Sequence, residues 1–107
     1  MARIAVGTAC ALAFGAPGEA VAAPKVHKVV IDKMRFGPLP ANIHAGDTIL
    51  WVNKDLFRHT ATARDRSFHL DLAPGASDRT VIWRRGNINF FCVFHPGMQG
   101  RFVVAGK

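Results

Sequence analysis

The chain has 107 residues and a mass of 11.6 kDa, room for one small domain; half of its residues are hydrophobic and 20% are charged. That balance supports a packed core and excludes disordered, collagen-like and low-complexity classes, while two cysteines exclude a dense disulfide scaffold. Fourteen Lys and Arg against seven Asp and Glu give a formal charge of +7, which steers the molecule toward acidic partners.

In chain order, the first segment differs from the rest. Arg3 precedes an apolar, small-residue run over residues 4–16, followed by Pro17-Gly18, Glu19 and Ala20-Val21-Ala22-Ala23. A positive region, an apolar region and an A-x-A site in that order read as a secretory signal peptide over residues 1–22, cleaved near Ala22, with the domain over residues 23–107. The apolar run is well short of the ~20 residues that span a bilayer, so no stable membrane insertion is expected. Arg3 and Glu19 leave together, and the net charge stays at +7. Cys10 leaves too; Gly7-Thr8-Ala9 before it lacks the large aliphatic residue of a lipidation site. Export, expected to the periplasm, leaves Cys92 as a lone thiol in an oxidising compartment. An odd cysteine there signals an intermolecular pair, a reactive thiol or a ligand.

The mature chain sustains no helical periodicity, and its β-branched and aromatic residues come in short runs bounded by turn residues, the pattern of strands. The runs cover residues 26–32 and 41–44, then, after the turn Ala45-Gly46-Asp47, residues 48–53. Residues 59–63 and 67–70 follow, the latter ahead of the Pro74-Gly75 turn. Residues 79–84, the turn Arg85-Gly86-Asn87, residues 88–94 and residues 101–105 complete the series. About eight strands without a repeat or linker predict an all-β fold, a two-sheet antiparallel Greek-key sandwich. Trp51 and Trp83, each within a predicted strand, are expected in the core. His27 and His44, among polar neighbours, are expected to face solvent.

The chemistry concentrates in Phe91-Cys92-Val93-Phe94-His95-Pro96-Gly97-Met98. A thiolate, an imidazole and a thioether fall at C-x2-H-x2-M, in a loop between two strands. Singly, each has a plainer reading: a small buried hydrophobe, a surface residue and a core filler. Together they are soft or borderline donors, close enough to converge on one metal. Cysteine and methionine select copper(I), and two histidines with one cysteine and a long axial methionine make a blue-copper electron-transfer centre. The second histidine is best supplied by His59, which opens a strand after the loop at residues 54–58. A structural zinc site would want more thiolates or imidazoles than this loop offers.

The segments Ala45-Gly46-Asp47-Thr48-x-x-Trp51-x-Asn53-x5-His59 and Cys92-x2-His95-Pro96-x-Met98-x-Gly100-x-Phe102-Val103-Val104 resemble the small blue copper proteins, or cupredoxins, and within them the amicyanin-like members. The short spacing from cysteine to histidine to methionine is the specific part. The resemblance implies one copper ion cycling between Cu(I) and Cu(II), with His59, Cys92 and His95 as equatorial ligands and Met98 as the weak axial one. It also implies supporting roles for Asn53 and Thr60, with the amide after the first ligand aimed at the cysteine sulfur, and gives His69 no ligand role. Two positions depart from the pattern: Arg58 replaces a common proline, and Gly97 replaces a common bulky residue.

The resulting expectation is a monomeric, non-enzymatic carrier of single electrons that uses the His95 ring edge as its port. Phe57, Phe94, Pro96 and Gly97 are candidates for the surface around it. By resemblance, the partners are redox proteins such as a methylamine-type dehydrogenase and a c-type cytochrome. Arg58, Arg64, Arg66, Arg79, Arg84 and Arg85 are candidates for meeting an acidic docking face on such a partner. Copper storage or delivery is the alternative function. Nucleic acid is not an expected partner, since no reading element accompanies the positive charge.

Overall fold

The computed structural model describes residues 23–106. The expected signal peptide lies outside the described residues. The described residues form nine strands: β1 (Val26–Asp32), β2 (Arg35–Phe36), β3 (Ile43–His44), β4 (Thr48–Asn53), β5 (His59–Ala63), β6 (His69–Leu72), β7 (Ser77–Val81), β8 (Gly86–Phe91) and β9 (Gln99–Ala105). They form two sheets, ordered β2-β1-β4-β7 and β3-β9-β8-β5-β6. No helix among the described residues is long and apolar enough to cross a membrane.

The two-sheet all-β expectation holds, with one correction: the sheets are mixed rather than wholly antiparallel. β1 runs parallel to β4 from the pair Val26 and Thr48 to the pair Ile31 and Asn53, and β3 runs parallel to β9. Between β1 and β4 the chain passes through β2 in one sheet and β3 in the other, then returns to the end of the sandwich where β1 began.

Asp47 fastens that return. Its carboxylate accepts hydrogen bonds from the His27 ring Nε2 at 2.8 Å, the Lys25 amide at 3.0 Å and the His44 amide at 2.9 Å. His27 is therefore half-buried rather than solvent-facing, its side chain only 12% exposed; His44 is exposed as expected. Burial pushes the Asp47 carboxyl up, but the His27 contact and the two amides outweigh it and bring the pKa from 3.8 to about 2. A depressed carboxyl stabilises the fold above its unfolded pKa and ceases to do so as pH falls through the folded value. Asp47→Asn is expected to cost about 1–3 kcal/mol at neutral pH. In urea unfolding, the gap between parent and variant should close as pH falls from 3.8 toward about 2; a gap constant down to that pH would contradict the assignment.

Strand limits differ from the sequence expectation where the backbone turns unusually. Residues 41–44 shorten to β3 because Asn42 sits at φ 59°; Ser67 and Phe68 fall outside β6, which runs on to Leu72, because Arg66 at φ 70° closes a turn onto Ala63. The strand at 79–84 shifts to β7, since the Ile82 amide and carbonyl leave the sheet for Asp47 and Gly46. Trp83 follows Ile82 off the sheet and is 67% exposed, which corrects its expected core position.

Between the sheets, alternate residues point inward, as the pleat requires. β4 shows this most regularly, with Ile49, Trp51 and Asn53 buried and Thr48, Leu50 and Val52 partly exposed. Trp51, fully buried, lies 5.3–6.0 Å from the rings of Phe36, Phe68, Phe90 and Phe102 in edge and tilted contacts. These geometries are the favourable ones for aromatic pairs.

Candidate metal centre

The site lies at the end of the sandwich where β4 finishes, β5 begins and β8 gives out. Asn53 shapes the approach. Fully buried, its Oδ1 accepts the Asp55 amide at 2.9 Å, and its Nδ2 donates to the carbonyls of Phe57 at 2.8 Å and Leu72 at 3.0 Å. One amide side chain thus satisfies the loop at residues 54–58 and delivers the chain to His59.

His59 opens β5 with no exposed surface. Its Nδ1 faces the Cys92 sulfur at 3.8 Å, and its Nε2 meets Asp55 Oδ2 at 2.9 Å. The amide of Thr60 donates to Cys92 Sγ at 3.3 Å, the contact expected for the residue after the first ligand. Thr60 Oγ1 accepts the amide of Val93 at 2.9 Å, joining the two ligand-bearing segments.

Cys92 is buried and outside any disulfide. β8 ends at Phe91, so Cys92 begins a loop rather than continuing the strand expected over residues 88–94. Two backbone bonds close that loop: the Met98 amide to the His95 carbonyl at 2.8 Å, and the Cys92 amide to the Met98 carbonyl at 3.1 Å. Met98 is only 6% exposed, whereas the half-buried His95 ring lies at the rim, its centroid 5.0 Å from that of His59. Among the described residues no three His, Cys, Asp or Glu side chains draw together into a metal-holding group. What stands assembled is the His59 and Cys92 pair, with the second imidazole at its edge.

That pair fits a metal. Bonds of about 2.0 Å to nitrogen and 2.3 Å to sulfur, spread by the ~120° of a trigonal site, separate the two donors by roughly 3.7 Å. The observed separation is 3.8 Å.

A family model described as a cupredoxin-like domain matches residues 3–104. The chain belongs to the cupredoxin family. Amicyanin from Paracoccus versutus is 26% identical over 82 residues, covering 71% of this chain and 62% of that relative, less than two thirds of its length. A solved structure of that amicyanin superposes with a TM-score of 0.62 at 25% identity, over 81% of this cupredoxin and 86% of that chain. A purple cupredoxin from Nitrosopumilus maritimus superposes with a TM-score of 0.67 at 23% identity, over 74% of this chain and 99% of that one. A Cu-containing nitrite reductase from Thermus scotoductus SA-01 reaches 0.66 at 27% identity, but this cupredoxin covers only 24% of it. Amicyanin and the purple cupredoxin thus stand beside it along most of its described length, and the reductase only as a fraction of a larger chain.

Around His95 the surface of this cupredoxin is apolar. Phe57 is 53% exposed and Phe94 51%, so Phe94 points outward; Pro96 and Gly97 are exposed as well. The sequence reading missed Leu56, 86% exposed, and Val93, 46% exposed, which extend the same patch. Beside it Arg58 pairs with Asp71 at 2.8 Å, and Arg64 lies over the Phe91 ring at 4.2 Å. At Gly97 nothing lies within 4 Å of where a Cβ would be. The surface there is open.

Proposed function

We propose that this cupredoxin is an exported blue copper protein that passes single electrons between redox proteins, with His59, Cys92, His95 and Met98 as ligands and the His95 edge as port. The observation that carries the reading is the buried Cys92 sulfur, facing His59 Nδ1 at 3.8 Å and holding a backbone hydrogen bond at 3.3 Å. Bound copper supplies a one-electron Cu(II)/Cu(I) couple. The chain's part is to hold the donors in one place in both states: β5 fixes His59, and the closed 92–98 loop fixes Cys92 and Met98. Leu56, Phe57, Val93 and Phe94 keep water from the rim while leaving the His95 edge within reach of a partner.

Residues 1–22 act as the secretory signal, and residues 23–107 work in the periplasm. With four protein donors no open position is left for a substrate, so the reading is of a carrier and not an enzyme. The net charge of +7 suits partners with acidic faces, a methylamine-type dehydrogenase as donor and a c-type cytochrome as acceptor. The test is the visible spectrum and voltammetry of the copper-loaded protein. An intense blue thiolate-to-copper band, bleached reversibly on reduction, is expected. A colourless Cu(II) adduct would overturn the reading, and ready loss of copper to an acceptor chelator without reversible redox would favour delivery instead.

A further inference from the structure

At the end of the sandwich away from Cys92, Trp83 stands 67% exposed, and its place is fixed. Ile82 before it bonds through its amide to the Asp47 carbonyl at 2.8 Å and through its carbonyl to the Gly46 amide at 2.7 Å. The ring carbon Cζ3 lies 3.7 Å from where a Cβ would stand on Gly46. Val81, two residues earlier, shares one cross-strand row with Thr48 and Val26, and both valines are exposed. A groove of about 120 Å³ between Phe68, Val81, Ile82, Trp83 and Ile88 completes the apolar surface.

The charges around it have one sign. Lys25, Arg66 and Arg85 are exposed, and among the described residues no carboxylate pairs with them. Asp47 and Asp65, the acidic residues described at this end, are already engaged, with His27 and with Arg84. β8 runs from this end to the metal centre, and its six residues at about 3.4 Å each hold the two roughly 20 Å apart.

We propose that this end is a peripheral docking surface for an anionic lipid bilayer: Trp83 enters the headgroup boundary with Val26 and Val81 beside it, and Lys25, Arg66 and Arg85 meet the lipid phosphates. An indole, apolar but for one N–H, suits that boundary. Each basic side chain near an anionic surface adds attraction. A protein partner fits less well. A specific interface needs about 800 Å² of complementary surface on each side, whereas the apolar surface here is one protruding ring, two valines and a groove with room for a single side chain. A bilayer demands no matching shape. A second copy of the chain would bring like charges together. Docked in this way, the protein lies on the bilayer and turns the His95 edge away from it; the docking itself does not depend on copper.

The chain has two tryptophans, and Trp51 is fully buried in the core, so indole quenching by lipids brominated on their acyl chains reports Trp83. The full chain is mixed with brominated vesicles of equal parts phosphatidylcholine and phosphatidylglycerol. Trp83 emission is expected to be quenched, and Trp83→Phe should leave only unquenched Trp51. Vesicles of brominated phosphatidylcholine alone should not quench Trp83. Arg66→Gln combined with Arg85→Gln should weaken binding to the mixed vesicles about 25-fold, roughly fivefold for each charge. Residues 1–22 are common to parent and variants, so differences among them report the remainder of the chain. Trp83 left unquenched on the mixed vesicles would overturn the proposal, as would a double variant that binds like the parent. Capture of the chain by polyglutamate, with Trp83 still in water on the vesicles, would make the occupant an acidic protein instead. A parent that docks but shows no blue band would sink the copper reading and leave the docking surface standing.

Discussion

Asn53→Ala is expected to lower the unfolding free energy by about 3–5 kcal/mol, a large part of the ~5–15 kcal/mol that holds a small domain together. The truncation leaves the amide of Asp55 and the carbonyls of Phe57 and Leu72 without the partner they have now. Asn53 and its contacts with Asp55 and Leu72 are buried, so water does not readily replace it there, and each unmet group costs about 1–3 kcal/mol. Asn53→Asp should fare little better, because a carboxylate would meet the two carbonyls where the amide now donates. The effect should be local as well as global. Loss of the Oδ1 contact frees the loop that carries Asp55, and hydrogen exchange at the Asp55 amide should quicken before the core strands respond. Urea titration and exchange mass spectrometry measure the two parts. A loss under about 1 kcal/mol, with the Asp55 amide still protected, would show that Asn53 is not the hub of this loop.

Much of this fold was legible because apolar alternation and β-branched residues report strands directly. β1, β4 and β5 begin and end where the sequence places them. β2 escaped because two residues carry no period. The parallel ladders escaped because alternation fixes which side chains face inward and says nothing of strand direction; direction is set at the crossing, where Asp47 gathers Lys25, His27 and His44. Trp83 misled for a related reason. Its neighbours resemble a strand, but Ile82 bonds to the 46–47 turn and lifts the tryptophan clear.

For the site, motif spacing marked Cys92, His95 and Met98 because all three sit on one short loop. His59 came from needing a second imidazole, and Asn53 and Thr60 from resemblance. Asp55 had no such signal: a lone Asp in a polar loop is a commonplace, and its contact with His59 emerges only in the fold. Asp47 and Asp55 illustrate how little local sequence reveals here. Each accepts a histidine Nε2 and two backbone amides, one at each end of β4, yet one closes the fold and the other faces the candidate centre.

Stripping copper from the protein is expected to lower its melting temperature by roughly 15–30 °C, and Cys92→Ser should abolish that difference. A ligand that binds only the folded state adds about 4 kcal/mol of stability at a thousand times its dissociation constant. In a domain of this size each kcal/mol moves the melting point by about 4–8 °C. Cys92 dominates the effect because it is the one thiolate among the candidate ligands and lies at the buried centre of the set, beside His59 and under the Thr60 amide. Serine at this place keeps an acceptor for that amide but offers a harder, far weaker donor to copper(I). Burying its hydroxyl costs the copper-free protein about 1–3 kcal/mol. The variant should therefore melt about 4–24 °C below the copper-free parent and ignore added copper. Calorimetry with and without a copper(I) chelator separates these effects. A Cys92→Ser protein that still gains 15–30 °C on copper loading would place the ion elsewhere on the chain, and the pairing of His59 with Cys92 would then be a packing contact alone.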